Sequence, residues 1–156
     1  MPEVRFYHLT EVPLERALPT MLERTLARGQ KAVVRGGNAE RLRFLDAQLW
    51  TADDAGFLPH GIDGDADPDR QPVWLTTGPD TPNDADVLFL IDGAIAGAAE
   101  IAARATTAIL FDGHDPAAVE AARGQWREVT GDGLAAVYWA QGAGGKWEKR
   151  HESPAA

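Results

Sequence analysis

Val87-Leu88-Phe89-Leu90-Ile91 is an unbroken apolar run of strand length that emerges from a polar loop. Five such residues without alternation form the pattern of a strand buried on both faces, which arises in parallel sheets held between two helical layers. A second run, Ala108-Ile109-Leu110-Phe111, repeats the signal and stops at Asp112-Gly113. Between the two, residues 94–104 are Ala-rich and read as a helix. Beyond the second run, Asp115 is placed to cap and Pro116 to start a helix reaching about Thr130. Strand, helix, strand, helix is thus the local order around the central run.

The same alternation extends upstream. Arg5-Phe6-Tyr7-His8-Leu9 alternates and carries aromatics, as a strand does. Pro13 opens a helix with Leu14, Leu18, Leu22 and Leu26 as its apolar stripe, stopped by Gly29. Ala32-Val33-Val34 is a short strand ending in a turn at Gly36-Gly37, and Asn38 caps the next helix. There Leu42, Leu45 and Leu49 share a face, with Phe44 at its edge and Trp50 closing it. A short strand is expected at Gly56-Phe57-Leu58-Pro59, an exposed and mobile loop over 61–70, and an extended segment at Pro72-Val73-Trp74-Leu75-Thr76. The sum is an α/β fold: a single-domain, Rossmann-like three-layer sandwich with a mostly parallel central sheet over residues 1–150. Residues 151–156 read as a disordered C-terminal tail.

Composition narrows the function. At 156 residues the chain has room for one core. It has no cysteine, which removes thiolate chemistry and disulfides and suits a reducing cytoplasm. Met1-Pro2-Glu3-Val4-Arg5 lacks the regions of a signal peptide and no apolar run approaches membrane-spanning length, so a soluble cytoplasmic protein is expected. A net charge of -9 opposes broad adhesion to phosphate backbones.

Motifs for catalysis or cofactors fail on their details. Gly36-Gly37 lacks the spaced third glycine of a dinucleotide loop. Gly142-Ala143-Gly144-Gly145-Lys146 lacks the upstream Gly of a phosphate loop and has Trp147 where Ser or Thr belongs. Asp63, Asp65, Asp67 and Asp69 imitate a calcium loop, but Pro68 stands at the turn glycine and Trp74 at the bidentate glutamate. His8, His60, His114 and His151 are scattered without a metal-pair spacing, and His60, between Pro59 and Gly61, suits a turn or surface role. No Gly-x-Ser-x-Gly elbow exists. No catalytic residue, cofactor or metal site is expected.

The positive signal is local. In an acidic chain, Arg123, Trp126 and Arg127 cluster on one helix, with Glu120 three residues before Arg123. Val119, Ala122, Trp126 and Val129 form a stripe that packs on a sheet, leaving the arginines as solvated flankers. The same arrangement offers carboxylate-binding cations beside an aromatic-edged pocket, suited to an acidic peptide with an apolar end. Lys146, Lys149 and Arg150 extend the positive edge. Two other classes stay open: a small α/β enzyme with its pocket at the carboxyl ends of the strands, and a direct single-stranded DNA binder stacking bases on Trp126, Trp139 and Trp147.

Assembled, these residues give a chain that resembles, almost end to end, the chi subunit of bacterial DNA polymerase III. The resemblance rests on Phe6-Tyr7-His8-Leu9, Gly29-Gln30-Lys31-Ala32-Val33-Val34, Leu45-Asp46-Ala47-Gln48-Leu49-Trp50 and Phe57-Leu58-Pro59-His60-Gly61. It continues through the Val87–Ile91 run, Phe111-Asp112-Gly113, Ala121-Ala122-Arg123 with Trp126, and Tyr138-Trp139 before Gly145-Lys146-Trp147. It implies a non-catalytic accessory subunit of the polymerase holoenzyme. Such a subunit binds the acidic C-terminal tail of single-stranded DNA-binding protein and bridges to the clamp loader, through a psi subunit where one is present. Carried onto this chain, the resemblance implies Arg123, Trp126 and Arg127 as tail-binding residues, with Lys146 and Lys149 as a cationic supplement, because Val119 stands where the family's helix can carry Lys. The psi-facing residues are Trp50, Phe57 and Leu58, each with a competing reading as core, and 62–70 is an insertion near them.

Overall fold

The computed structural model describes residues 2–51 and 59–156. Its elements run β1 (Glu3–Leu9), α1 (Leu14–Ala27), β2 (Ala32–Gly36), α2 (Ala39–Thr51), β3 (Gly61–Ile62), β4 (Val73–Thr76), β5 (Val87–Ile91), α3 (Ala98–Ala102), β6 (Thr106–Asp112), α4 (Pro116–Gly131), β7 (Ala135–Gln141) and β8 (Trp147–Ser153). Among the described residues the strands form one sheet in the order β3-β4-β2-β5-β6-β1-β7-β8, parallel except for β8. The central run is β5, buried along its whole length between β2 and β6, as continuous apolarity requires.

Two cores flank the sheet. Leu14, Leu18 and Leu22 of α1 and Leu42, Leu45 and Leu49 of α2 pack on one face against Val34, Phe89 and Leu110. Ile101 of α3 and Ala122 and Val129 of α4 pack on the other, against Val4, Phe6, Leu88 and Ile109. The alternation of Val34 with Val33, and of Phe89 with Leu88, across the two cores shows each strand feeding both layers. This is the three-layer sandwich, and its helix starts follow local chemistry. Asn38 Oδ1 accepts from Arg41 N at 3.1 Å, and Asp115 Oδ1 from Ala117 N at 3.0 Å. Gly37 is required by proximity: a Cβ there would overlap the Asp92 carbonyl oxygen.

Arg35, the charged residue of central strand β2, is 5% exposed and fully engaged. Its guanidinium meets both Glu100 oxygens at 2.8 and 2.7 Å and the carbonyls of Gly78, Pro79 and Ile95. The hydrogen bonds from Arg35 hold the Glu100 carboxyl below its ordinary range. This clamp ties the end of β2 to α3.

Several expectations are corrected. The helix expected over 94–104 is only Ala98–Ala102, because Gly97 serves as its N-cap in extended conformation and the preceding residues continue the turn after β5. The loop over 61–70 is exposed from 63 to 67, as expected, but it starts in an edge strand, Gly61–Ile62, and Asp63 ties it to β4: its Oδ2 accepts from Thr76 Oγ1 and Thr77 N at 2.9 and 3.0 Å. Residues 151–153, placed in a disordered tail from sequence, are the end of β8, paired with β7 and bulged where Tyr138 faces His151 and Trp139 faces Lys149. Ala156 N also bonds Gly133 O at 3.1 Å. The strand expected at Gly56-Phe57-Leu58-Pro59 lies, but for Pro59, outside the described residues. His60 is buried rather than on the surface, its Nε2 3.1 Å from Asp46 Oδ1 of α2.

Candidate functional site

The pleat of β1 and β7 determines which side chains meet α4. Val4 and Phe6 face α4, so His8 does too, and Tyr138 joins them because it lies opposite Phe6 in the parallel register. Phe6 and Tyr138 stack at 6.3 Å and 12°, and the Trp126 ring meets Phe6 edge-on at 5.3 Å and Tyr138 at 6.1 Å. Trp126 is therefore a half-buried wedge between helix and sheet, whereas Ala122 and Val129 beneath the helix are buried.

Beside this aromatic floor the outer side of α4 carries two cations. Arg123 and Arg127 are both exposed and share one carboxylate, Glu120, at 4.0 and 3.7 Å. At about two-thirds exposure such contacts contribute little, on the order of a few tenths of a kcal/mol. Two guanidinium groups against one carboxylate leave this trio with one positive charge in excess, while Asp112 acts at His8 in the opposite direction. The stripe and flanker arrangement and the cation-beside-aromatics arrangement are one structure seen from its two sides.

The neighbours that sequence reasoning missed are His8 and Tyr138. His8 Nδ1 lies 2.7 Å from the Tyr138 hydroxyl, and its ring sits 5.1 Å from Phe111. Burial lowers the His8 pKa, opposed by the Gly113 backbone, while His114 and Arg123 push it down further. Burial raises the Tyr138 pKa and Arg123 works against it. The charge of Arg123 is thus felt at both rings. Gly113 makes room for this cluster, since a Cβ there would overlap the His8 ring and lie 2.7 Å from the Leu9 carbonyl oxygen. The available signal was parity: His8 shares its face with Val4 and Phe6.

Lys146 and Lys149 do not join this face. Trp139 lies in a hollow with Tyr7, Met21 and Arg24 on the α1 side, and Lys149 is directly opposite Trp139 in the β7–β8 ladder. Lys149 pairs with Glu152 at 3.3 Å and Arg150 with Glu148 at 2.8 Å. Lys146 lines a hollow with Val12, Arg16 and Trp147, also on the α1 side. The five cation and aromatic positions therefore divide between opposite faces of the sheet. Trp50, for which a core position competed, is 54% exposed, with its ring 4.3 Å from His60. Phe57 and Leu58 lie outside the described residues. Among the described residues, no three His, Cys, Asp or Glu side chains converge to hold a metal ion, and no helix is long and apolar enough to cross a membrane.

Fold and surface together define an α/β domain whose most distinctive face is a cation-topped aromatic shelf. The family model described as DNA polymerase III chi subunit, HolC, matches residues 1–137, and the chain belongs to that family. It is similar to the probable DNA polymerase III subunit chi of Rickettsia prowazekii (strain Madrid E), 29% identical over 91 residues, covering 58% of this chain and about half, 55%, of that relative. The family is that of a replication accessory subunit of the polymerase III holoenzyme. Arg123, Trp126 and Arg127 fall inside the matched residues, whereas Tyr138, Trp139 and the whole of β8 lie beyond them.

Proposed function

We propose that this protein is a non-catalytic adaptor that binds the acidic C-terminal tail of single-stranded DNA-binding protein on the α4 face and links it to the polymerase III clamp loader, through a psi subunit where present. The observation that carries this reading is the shared carboxylate: among the described residues Arg123 and Arg127 both pair with Glu120 alone, and the charge of Arg123 reaches the His8 and Tyr138 rings of the Trp126–Tyr138–His8 shelf. Tail aspartates meet the two guanidinium groups and a terminal aromatic side chain lies against the rings. Lys146 and Lys149, on the other face, take no part in this contact. Trp50, half exposed beside buried His60, is the described residue offered for psi, with Phe57 and Leu58 as its proposed companions.

Such a contact is small and charge-steered, so single tails bind weakly, on the order of micromolar, and lose affinity with salt. Several tails on one DNA-bound oligomer raise the effective concentration and make the tether useful. The test is fluorescence anisotropy of a labelled acidic peptide ending in Asp-Asp-Ile-Pro-Phe with a free carboxylate. Saturable, salt-sensitive binding that is lost when the terminal Phe is removed supports the reading. Absence of binding at low salt overturns it.

A further inference from the structure

On the side of the sheet away from α4, α1 leaves two adjoining hollows of about 310 and 480 Å³ that share Met21, Arg24 and Trp147. Arg5, Arg24 and Arg28 line the first, and Arg16, Arg24 and Lys146 the second. Among the described residues no Asp or Glu lines either hollow, in a chain with 24 acidic and 15 basic residues. Arg5 leans on Glu3 at 2.9 Å. Arg16, Arg24, Arg28 and Lys146 form no salt bridge among the described residues. On the α4 face, by contrast, both arginines approach Glu120.

Aromatic rings accompany these cations. Tyr7, Trp139 and Trp147 line the first hollow, with Tyr7 and Trp147 edge-to-face at 5.1 Å, and Trp147 continues into the second. All three rings are partly exposed. Arg16 to Arg28 spans about 18 Å at 1.5 Å per helical residue, so the charges form a row rather than a point. The loop at the upper end is fixed by Gln141, whose Oε1 accepts from the Thr10, Glu11 and Val12 amides at 2.9, 2.9 and 3.1 Å.

We propose that this groove binds single-stranded nucleic acid, with phosphates along Arg16, Arg24 and Arg28 and bases against Trp139 and Trp147. Guanidinium forks match phosphate oxygens, and indole faces stack on any unpaired base. A row of cations beside several rings accommodates a repeating charge-and-base chain. A single acidic peptide terminus uses one charge cluster and one pocket. The net charge of -9 opposes long-range attraction, so the contact is weak and steeply salt-dependent. The groove is on the opposite face from the proposed tail site and stands or falls independently of it.

The experiment is anisotropy of a labelled oligothymidylate of about 15 nucleotides, a length in the range of single-strand site sizes, with the full chain at low salt. Saturable binding is expected. The double variant Arg24→Glu/Arg28→Glu should lose at least about tenfold in affinity and about two units of salt slope, with Arg24→Gln/Arg28→Gln intermediate. A single charge reversal at exposed Arg43 of α2, which lines neither hollow, Arg43→Glu, should shift affinity by less than about twofold, the scale of a screened charge outside the site. Absence of binding, equal loss in the Arg43 variant, or equal affinity for a duplex of the same length overturns the proposal. So does binding of an oligoaspartate peptide in the groove where the oligonucleotide does not bind, which would make the site a peptide groove.

Discussion

Arg123 is two-thirds exposed, yet its charge acts on His8 and Tyr138 beneath it, and this separates what it does from what holds it. Arg123→Ala removes a solvated group with one long contact, so the melting temperature should stay within about a degree or two, a surface-scale change. On the proposed function, tail affinity by calorimetry falls about tenfold, as loss of a charge-assisted bond requires. Trp126→Ala behaves oppositely. It removes the wedge on Phe6 and Tyr138 and should cost about 2–3 kcal/mol, read by denaturant unfolding, less than for a fully buried Trp. His8 adds a pH signature. Its folded pKa is lowered, chiefly by burial, so below its ordinary value near 6.5 the unfolded chain takes up the proton first. Stability should therefore be complete above that value and fall as pH drops through the lowered pKa. His8→Gln should flatten this part of the profile in melting curves between about pH 5 and 7.5, the His window. An unchanged slope would remove His8 from the account.

Elements were legible where their residues carried a period. β5, β6, α1 and α2 followed from apolar runs and stripes, and the caps at Asn38 and Asp115 followed from side-chain chemistry. β8 was not legible: Glu148, Lys149, Arg150, His151 and Glu152 are all exposed, so the strand has backbone pairing without an apolar face. Nothing in such a segment distinguishes an edge strand from a tail until its neighbour is known. The error over α3 had the opposite cause, since alanines favour helix but the Gly97 cap and the turn after β5 shortened it. The same blindness grouped Lys149 with Arg123, because side-of-sheet assignment at β8 depends on the bulge opposite Tyr138 and Trp139, and Lys146, just before β8, follows the α1 side of that strand's start. Deleting residues 151–156 should expose the β7 backbone near Ala136–Tyr138 and lower the melting temperature by several degrees, on the order of 1–2 kcal/mol. A disordered tail would leave it unmoved.

At the scale of the molecule, charge is segregated. Acidic residues dominate the chain, while Arg16, Arg24, Arg28 and Lys146, without an ion pair among the described residues, gather with Glu3-paired Arg5 in the α1 groove, and Arg123 and Arg127 share Glu120 on α4. Sequence revealed the second from its helical spacing. The first draws on β1, α1 and the start of β8, segments far apart in the chain, and only folding gathers them. Holding the layers together, the Arg35–Glu100 clamp predicts that Glu100→Ala destabilises by about 2–3 kcal/mol, since Arg35 then keeps its burial but loses its counter-charge. Because the folded Glu100 pKa is lowered, that contribution is present above the ordinary glutamate range and lost as pH falls through the lowered value, so variant and parent should converge in acid.

The alternating charges of β8 have a further consequence for how copies of this molecule behave beside one another. An open parallel sheet invites strand-on-strand growth at its border, and at one border this sheet presents Glu148, Lys149, Arg150 and Glu152, already paired within the strand. A neighbour docking there would have to strip water from four charges and break two ion pairs before gaining a single backbone bond. Copies of this chain brought close together are thereby protected from fibril-like stacking along that border.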